Sequence, residues 1–186
     1  PDLDRIGVGI DPNTTGRGDE AGIIVAGTSM FYGDLWRDRP HGYVLADYTV
    51  AGGPKAWAEA SVAAYRDFNA DFMVAEQNNG GEMVRITLET VDDAPPVKLV
   101  HASRGKRTRA EPIHKLYQDG RISHVGVLDK LERELCTWEP GAGMDSPDRL
   151  DACVWILTEL MLGGVGLEPA SGDLAEYFNA QLGGYR

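Results

Sequence analysis

The stretch RIGVGIDPNTTGRGDEAGIIVAG (residues 5–27) has two short apolar runs separated by a polar turn, and the first run ends on a carboxylate, Asp11. An apolar run followed by Pro, Asn and Gly is typical of a strand that ends at a turn. A second strand is predicted over residues 22–29 and a third over residues 42–50. Because the links between these strands are short, we expect an antiparallel meander.

Helices and strands alternate after the predicted meander. Apolar residues at helical spacing predict a helix over residues 55–69, and the run DFMVAE (residues 71–76) predicts a buried strand that also ends on an acid, Glu76. The elements predicted further on are a helix over residues 81–91, a strand over 97–102, a helix that ends near Gly120 and a short helix over 129–138. This order predicts an α/β fold with a mixed sheet of antiparallel and parallel strands and helices on both faces.

The strongest helical pattern in the chain is SPDRLDACVWILTELML (residues 146–162). The residues suited to its two ends are an N-cap serine, a first-turn proline and two terminating glycines: Ser146, Pro147, Gly163 and Gly164. The segment 164–186 is rich in glycine and weakly periodic, so we expect a loosely ordered tail or a contact with a partner. Residues 1–163 are then expected to form one domain.

Composition limits the classes of function that the chain can have. Its 186 residues, 42% hydrophobic and 25% charged, are typical of one folded domain. No apolar run approaches the ~20 residues of a membrane span, and no signal peptide is recognisable, so we expect a cytoplasmic protein without a membrane partner. The formal net charge of -11 argues against nucleic-acid binding by bulk attraction alone. Any contact with nucleic acid is therefore expected to be local.

The acids at the ends of the two apolar strands are candidates for a site. Side chains at the carboxyl ends of neighbouring strands converge on the crevice where α/β sheets bind ligands, and Asp11 and Glu76 both occupy such ends. A buried acid without a partner would cost free energy. The alternative is that each acid only caps a turn, since Asp followed by Pro is good turn chemistry. The presence of two such acids favours a site.

A third acid is expected from the last predicted helix, where Asp145, Asp148 and Asp151 are candidates. At ~100° per residue Asp148 falls nearly opposite the apolar face, in the first turn, where an acid meets the helix dipole favourably. Asp151 lies closer to the border of the apolar face and gains little from capping. We therefore prefer Asp151, with Asp148 as the less favoured choice.

Three carboxylates in one crevice repel one another, and divalent metal is the natural compensation. Hard oxygen ligands suit Mg²⁺ or Mn²⁺. Two such ions about 3.5–4 Å apart can activate a water and stabilise the leaving oxygen in phosphodiester cleavage. Asp11, Glu76 and Asp151 are thus predicted to be the metal ligands and catalytic acids of a two-metal-ion nuclease.

Four segments carry a family resemblance: GVGIDP, DEAGIIVAG, MVAEQNNGG and above all SPDRLDACVWILTEL. In this order, over residues 5–162, the chain resembles the C-terminal nuclease domain of the large terminase subunit of tailed bacteriophages, which belongs to the RNase H-like nucleases. The resemblance implies an RNase H-like fold and cutting of concatemeric double-stranded viral DNA during genome packaging. By position, the family's metal-binding acids correspond to Asp11, Glu76 and either Asp151 or Asp148.

The resemblance also implies partners and a setting. In a complete large terminase these are a packaging ATPase domain, the small terminase subunit and the portal, inside the infected bacterial cell. The chain has no GxxxxGK[ST] phosphate loop, since RGKRT (residues 104–108) lacks the first glycine at the required spacing. We therefore expect an isolated nuclease domain that does not hydrolyse ATP.

The one dense basic cluster in this acidic chain consists of Arg104, Lys106, Arg107 and Arg109. Runs of charge are usually solvated loops. Because the cluster follows the predicted strand 97–102, it could instead overhang the sheet edge and bind DNA phosphates. The sequence favours neither interpretation.

Two other functions fit the same residues. Another RNase H-like hydrolase, such as a junction resolvase, would use similar acids on a similar sheet and would prefer four-way junctions to linear duplex. A non-catalytic module that docks to a motor or portal protein would use the acids only as turn caps, and would neither bind metal nor cut DNA. The acidic composition suits docking, and sheets of one kind host many activities.

Overall fold

The computed structural model describes residues 2–12, 20–32, 35–77, 81–102, 105–139, 147–163 and 167–169. In chain order, the elements are β1 (Arg5–Asp11), β2 (Glu20–Tyr32), β3 (Leu35–Asp47), β4 (Val50–Ala51), α1 (Pro54–Asp67), β5 (Phe72–Glu76), α2 (Gly81–Glu89), β6 (Val97–Ala102), α3 (Lys106–Gln118), β7 (Ile122–His124), α4 (Asp129–Thr137), α5 (Asp148–Leu162) and β8 (Leu167–Pro169). The strands form one sheet in the order β7-β3-β2-β1-β5-β6-β8, with β4 paired to β2.

The predicted mixed sheet is confirmed. β1, β2 and β3 form the antiparallel meander, and β5 and β6 add to the other side of β1 as parallel strands. β2 and β3 are longer than predicted. β2 continues beyond residue 29 to Tyr32, β3 begins before residue 42 at Leu35, and the two extensions pair with each other. The two-residue β4 replaces the end of the predicted third strand.

Helices cover both faces of the sheet, as predicted. α1 and α2 pack on one face, with Trp57 and Leu88 among the side chains buried there. α3, α4 and α5 pack on the other, around Trp155 and Leu157. Burial of large side chains of this kind stabilises a fold by about 1.5–3 kcal/mol each, so the two cores hold the sheet between two helical layers.

α5 lies unusually close to the meander, because two glycines leave room for it. A Cβ added at Gly9 of β1 would lie 2.4 Å from the backbone oxygen of Ala152, and one added at Gly22 of β2 would lie 2.0 Å from the backbone oxygen of Asp148. Any larger residue at either position would push the first turns of α5 off the sheet. The glycines thus fix the height of α5 above β1 and β2.

Four local details differ from the sequence prediction. α3 begins at Lys106, so three of the four basic residues lie in its first turn and not on a preceding loop. β7 was not predicted; it is only three residues long and pairs with β3 at the sheet edge. Pro147 is the N-cap of α5 and not its first helical residue, while Ser146 lies outside the described residues. β8 falls within the expected tail and pairs with β6.

Gly163 ends α5 as predicted, in the left-handed conformation that favours glycine. In the part of the chain that the structure describes, no helix is both long enough and apolar enough to cross a membrane.

Candidate active site

Asp11 and Glu76 end two neighbouring parallel strands on the same face of the sheet. In the pairing of β1 with β5 the last matched residues are Ile10 and Ala75, and each acid follows directly. Successive side chains of a strand alternate between faces. Glu76 therefore shares a face with Val74, which packs in the α5 core, and Asp11 shares a face with Gly9, which touches α5. Both carboxylates are thus directed toward α5.

Asp151 enters the same region from the first turn of α5 and is only 3% exposed. The contacts at Gly9 and Gly22 bring this turn against the ends of β1 and β2. The electrostatic coupling of the three acids shows that they are close, because Asp151 and Glu76 both raise the pKa of Asp11. Three elements distant in sequence therefore bring one carboxylate each to a shared crevice.

The pKa of Asp11 is raised well above its usual value. Desolvation of its carboxyl is the largest cause, although part of the residue still reaches solvent. Repulsion from Asp151, Glu76 and Asp148 raises the pKa further, and the Lys106 ammonium lowers it. Both desolvation and repulsion disfavour the charged form of an acid. A further cation in the crevice would therefore favour the charged form of Asp11.

Glu76 is buried beside a cation that the sequence did not assign to it. Desolvation raises the pKa of Glu76, and Arg109 is the strongest opposing influence. Arg109 Nη1 lies 4.0 Å from Glu76 Oε1, and both side chains are buried. The guanidinium also stacks on the ring of Trp155, 4.2 Å from its centroid. Arg109 thus lies between Glu76 and the Trp155 ring of α5.

Lys106 forms the closest ion pair of the site. Its Nζ donates a hydrogen bond to Asp151 Oδ2 at 2.9 Å. Burial of the ammonium lowers the pKa of Lys106, but the bond to Asp151 and the attraction of Asp11 and Glu76 outweigh this, so the pKa is raised overall. The Lys106 side chain is 47% exposed, whereas that of Asp151 is 4% exposed.

The donor chemistry of the crevice fits a divalent metal, although the side chains are not arranged as ligands. Asp11, Glu76 and Asp151 supply only hard carboxylate oxygens, the type that Mg²⁺ and Mn²⁺ prefer. Desolvation is the main cause of the raised pKa values of Asp11 and Glu76, and repulsion from Asp151 adds to it in both. Within the described segments, no three His, Cys, Asp or Glu side chains are grouped so that they could hold a metal ion. Asp151 is instead bonded to Lys106.

The other residues predicted for the site do not all lie near the three acids. Asp148 is partly exposed at the start of α5, and it contributes less to the pKa of Asp11 than Asp151 does. Arg107 is 73% exposed and pairs with Glu111 on its own helix. Arg104 and Asp145 lie outside the described residues. Of the four basic residues, the structure therefore brings Lys106 and Arg109 to the acids and leaves Arg107 on the surface.

A buried arginine next to Asp148 was missed by the sequence reasoning. Arg149 is 4% exposed at its side chain and pairs with three carboxylates, those of Glu20, Asp47 and Glu134. Its Nε lies 2.8 Å from Asp47 Oδ2, and its Nη1 lies 3.0 Å from Glu134 Oε1. These acids come from β2, β3 and α4, so Arg149 ties the first turn of α5 to three other elements.

A mixed sheet in which an antiparallel meander continues into parallel strands, with helices on both faces, is the arrangement of an RNase H-like fold. Comparison with known proteins agrees, because residues 8–160 match the family model of the terminase RNaseH-like domain. The chain belongs to this family. No curated protein sequence matches it significantly.

Solved structures of terminase nuclease domains are similar to this chain. The human cytomegalovirus terminase nuclease domain has a TM-score of 0.56 at 11% identity, with 90% of each chain covered. The nuclease domain of the large terminase subunit gp2 of bacterial virus Sf6 has a TM-score of 0.53 at 14% identity, with 83% of this chain and 88% of that chain covered. RuvC of Thermus thermophilus has a TM-score of 0.48 at 16% identity, over 89% of this chain and 99% of its own.

Proposed function

We propose that this chain is the metal-dependent endonuclease domain of a large terminase subunit, which cuts concatemeric double-stranded DNA during packaging of a viral genome. The observation that carries the proposal is the convergence of Asp11, Glu76 and Asp151 from three separate elements, with Asp151 and Glu76 raising the pKa of Asp11. A cluster of acids that repel one another costs folding free energy, and such clusters are found most often at functional sites. The family match supports a nuclease as that use.

In this proposal Asp11, Glu76 and Asp151 hold Mg²⁺ or Mn²⁺, two ions in the catalytic state. When bound, these ions supply an activated water and stabilise the leaving oxygen of the cleaved phosphodiester. The protein contributes three carboxylates on rigid elements, with α5 held in place by Gly9 and Gly22. Such rigid placement is what makes a catalytic site effective.

The DNA is held, in this proposal, by the basic start of α3. Lys106 and Arg107 lie in its first turn and are exposed, and the positive end of the helix dipole points the same way. Together with Arg104 they give the acidic chain a local contact for phosphates. Arg109 was grouped with these residues by sequence, but its burial and its place beside Glu76 suit a counterion of the acids better.

The whole protein would act in the cytoplasm of an infected bacterial host. Its proposed partners, besides duplex DNA, are a packaging ATPase domain, the small terminase subunit and the portal. The segment assigned to the nuclease domain is 1–163, with 164–186 as a tail that could contact one of these partners.

The proposal is tested by incubating the purified chain with supercoiled plasmid in Mg²⁺ or Mn²⁺, with and without excess chelator. We expect nicking and linearisation that chelator abolishes and that Asp11→Asn removes. The matched control is Glu59→Gln, since Glu59 is an exposed acid on α1, on the opposite face of the sheet. Cleavage that persists in chelator or in Asp11→Asn would refute the metal mechanism. A strong preference for four-way junctions over linear duplex would indicate a resolvase.

A further inference from the structure

The first turn of α3 carries charges of the unfavourable sign for a helix N-terminus. Lys106 and Arg107 are its first two residues, Arg109 follows, and the turn contains no acid. Cations at the positive end of the helix dipole are destabilising, and acids are the usual choice there. Departures from such a preference are expected at functional sites.

The partners of the three cations differ in kind. Arg107 pairs with Glu111 within the helix, in the ordinary way of exposed i,i+4 pairs. Lys106 and Arg109 instead point at the strand-end acids and Asp151. The charges of Lys106 and Arg109 are therefore compensated by the acids of the candidate active site, and only Arg107 is compensated by an acid of α3 itself.

Of these two cations, only Lys106 can leave. The side chain of Arg109 is 6% exposed and is held against Trp155. Lys106 is 47% exposed and lies at the very start of the helix, on a long flexible stem. Its ammonium can therefore exchange between the buried Asp151 carboxylate and solvent by rotating its own side chain.

The carboxylate that Lys106 pairs with is buried. Asp151 is 4% exposed at its side chain, so water does not solvate it fully. A buried charge needs a paired cation. A divalent ion held by Asp11, Glu76 and Asp151 would compete with the ammonium for the Asp151 carboxylate and would repel it. Ammonium and metal thus compete for one crevice.

We propose that Lys106 is an exchangeable internal counterion: its ammonium neutralises Asp151 in the metal-free protein, and a divalent cation displaces it toward the DNA-binding surface. This inference rests on the proposed metal-dependent function and adds regulation to the same site. It accounts for the hydrogen bond that Lys106 donates to Asp151 inside the crevice of acids. Metal binding and presentation of a cation to DNA become one coupled event.

The test is the affinity for Mn²⁺ alone, measured by isothermal titration calorimetry at neutral pH without DNA. Lys106→Gln removes the competing charge and should bind Mn²⁺ about 5-fold or more tightly than the wild type, the usual lower size of coupling between competing sites. Lys106→Arg keeps the charge and should stay close to the wild type. Lys115→Gln, which breaks an exposed ion pair on the same helix, is the matched control and should change nothing.

Thermal melting in chelator gives a second readout. Lys106→Gln should melt at a lower temperature than the wild type without metal, and should recover more on addition of Mn²⁺. A lysine with a merely structural role would lower both stability and affinity, so the opposite signs distinguish exchange from packing. Equal or weaker Mn²⁺ affinity in Lys106→Gln overturns the inference.

The two proposals fail in different ways. If the wild type binds no Mn²⁺, or binds it unchanged in Asp151→Asn, the proposed metal site itself falls. If the wild type binds Mn²⁺ through Asp151 but Lys106→Gln has the same affinity, only the role of Lys106 falls.

Discussion

Gly22 of β2 lies against the backbone of Asp148, so closely that a Cβ on the glycine would come within 2.0 Å of the carbonyl oxygen of Asp148. This contact seats the first turn of α5 on the sheet, and Asp151 lies in that same turn. The position of Asp151 therefore depends on Gly22 having no side chain, although β2 contributes no acid to the crevice.

Gly22→Ala is expected to lower both stability and DNA cleavage. The added methyl group would clash with the backbone of Asp148, which cannot change rotamer as a side chain could. Overpacking of this kind costs about 1–3 kcal/mol. α5 would have to move away from β2, taking Asp151 with it. Urea unfolding and the plasmid assay measure the two effects. Gly53→Ala is the control, because a Cβ there meets nothing within 4 Å; equal losses in both variants would contradict this role of Gly22.

Arg149→Met is expected to destabilise the protein by about 3 kcal/mol. The change leaves the carboxylates of Glu20, Asp47 and Glu134 facing one another without the cation that they share, and removal of one partner from a buried ion network has a cost of this order. The midpoint of urea unfolding measures it. Lys55→Gln, which breaks only an exposed pair on α1, should shift the midpoint little. An unchanged midpoint in Arg149→Met would show that the ion pairs of Arg149 do not stabilise the packing of α5.

The stability of the metal-free protein should depend on the ionisation of Asp11. In the unfolded chain an Asp carboxyl ionises at about pH 3.9. Desolvation and the neighbouring acids raise its pKa in the folded protein, so its stabilising contribution is present below about pH 3.9 and is lost as pH rises through the folded pKa.

Asp11→Asn removes this dependence. In chelator, the variant should therefore gain melting temperature relative to the wild type as pH rises from about 4 to 8. With Mn²⁺ at the upper pH the wild type should recover and the variant should not, since metal binding requires the ionised carboxylate. A difference in melting temperature that is independent of pH would show that Asp11 does not ionise in the folded protein as described.

Replacement of exposed basic residues at the start of α3 should weaken DNA binding and reduce its dependence on salt. Each phosphate contact that is removed, by Arg107→Ala or, with divalent cation present, by Lys106→Ala, should flatten the plot of log affinity against log salt by about 0.9. Lys115→Ala, on the exposed later part of the same helix, is the control. An unchanged slope in the first two variants would mean that this turn does not contact DNA.

Asp151→Asn is expected to abolish cleavage, and Asp148→Asn to spare it. Asp151 is buried and bonded to Lys106, whereas Asp148 is partly exposed at the helix start and contributes a dipole effect of about 0.3–1 kcal/mol. Plasmid cleavage and melting of both variants decide between them. An inactive Asp148→Asn beside an active Asp151→Asn would place the metal site one turn earlier.

The order and type of the main elements could be predicted from the sequence because strand and helix periodicities differ strongly here. The same period of two explains why Asp11 and Glu76 share a face, since each follows an apolar strand of fixed alternation. Asp151 was expected at the border of a single apolar face, but α5 is buried on more than one side. Every residue of α5 from Arg149 to Glu159 is buried, so the helix has no fully solvated side in that stretch.

The counterions could not be predicted from sequence. Lys106 and Asp151 are 45 residues apart, and Lys98 pairs with Glu159 across 61. No local pattern fixes such pairs, because they depend on how α3, β6 and α5 pack. The one signal in the sequence was the basic first turn of α3, which opposes the helix dipole and thus requires acids from elsewhere. The glycines of β1 and β2 look like ordinary strand residues, and their role emerges only once α5 is placed.

A crystal of the chain soaked in Mn²⁺, with anomalous difference density used to locate the ions, tests the three-carboxylate metal site without relying on activity. We expect peaks bounded by the carboxylates of Asp11, Glu76 and Asp151, with the Lys106 ammonium moved away from Asp151. Peaks elsewhere, or none at Mn²⁺ concentrations that support cleavage, would contradict the proposed site.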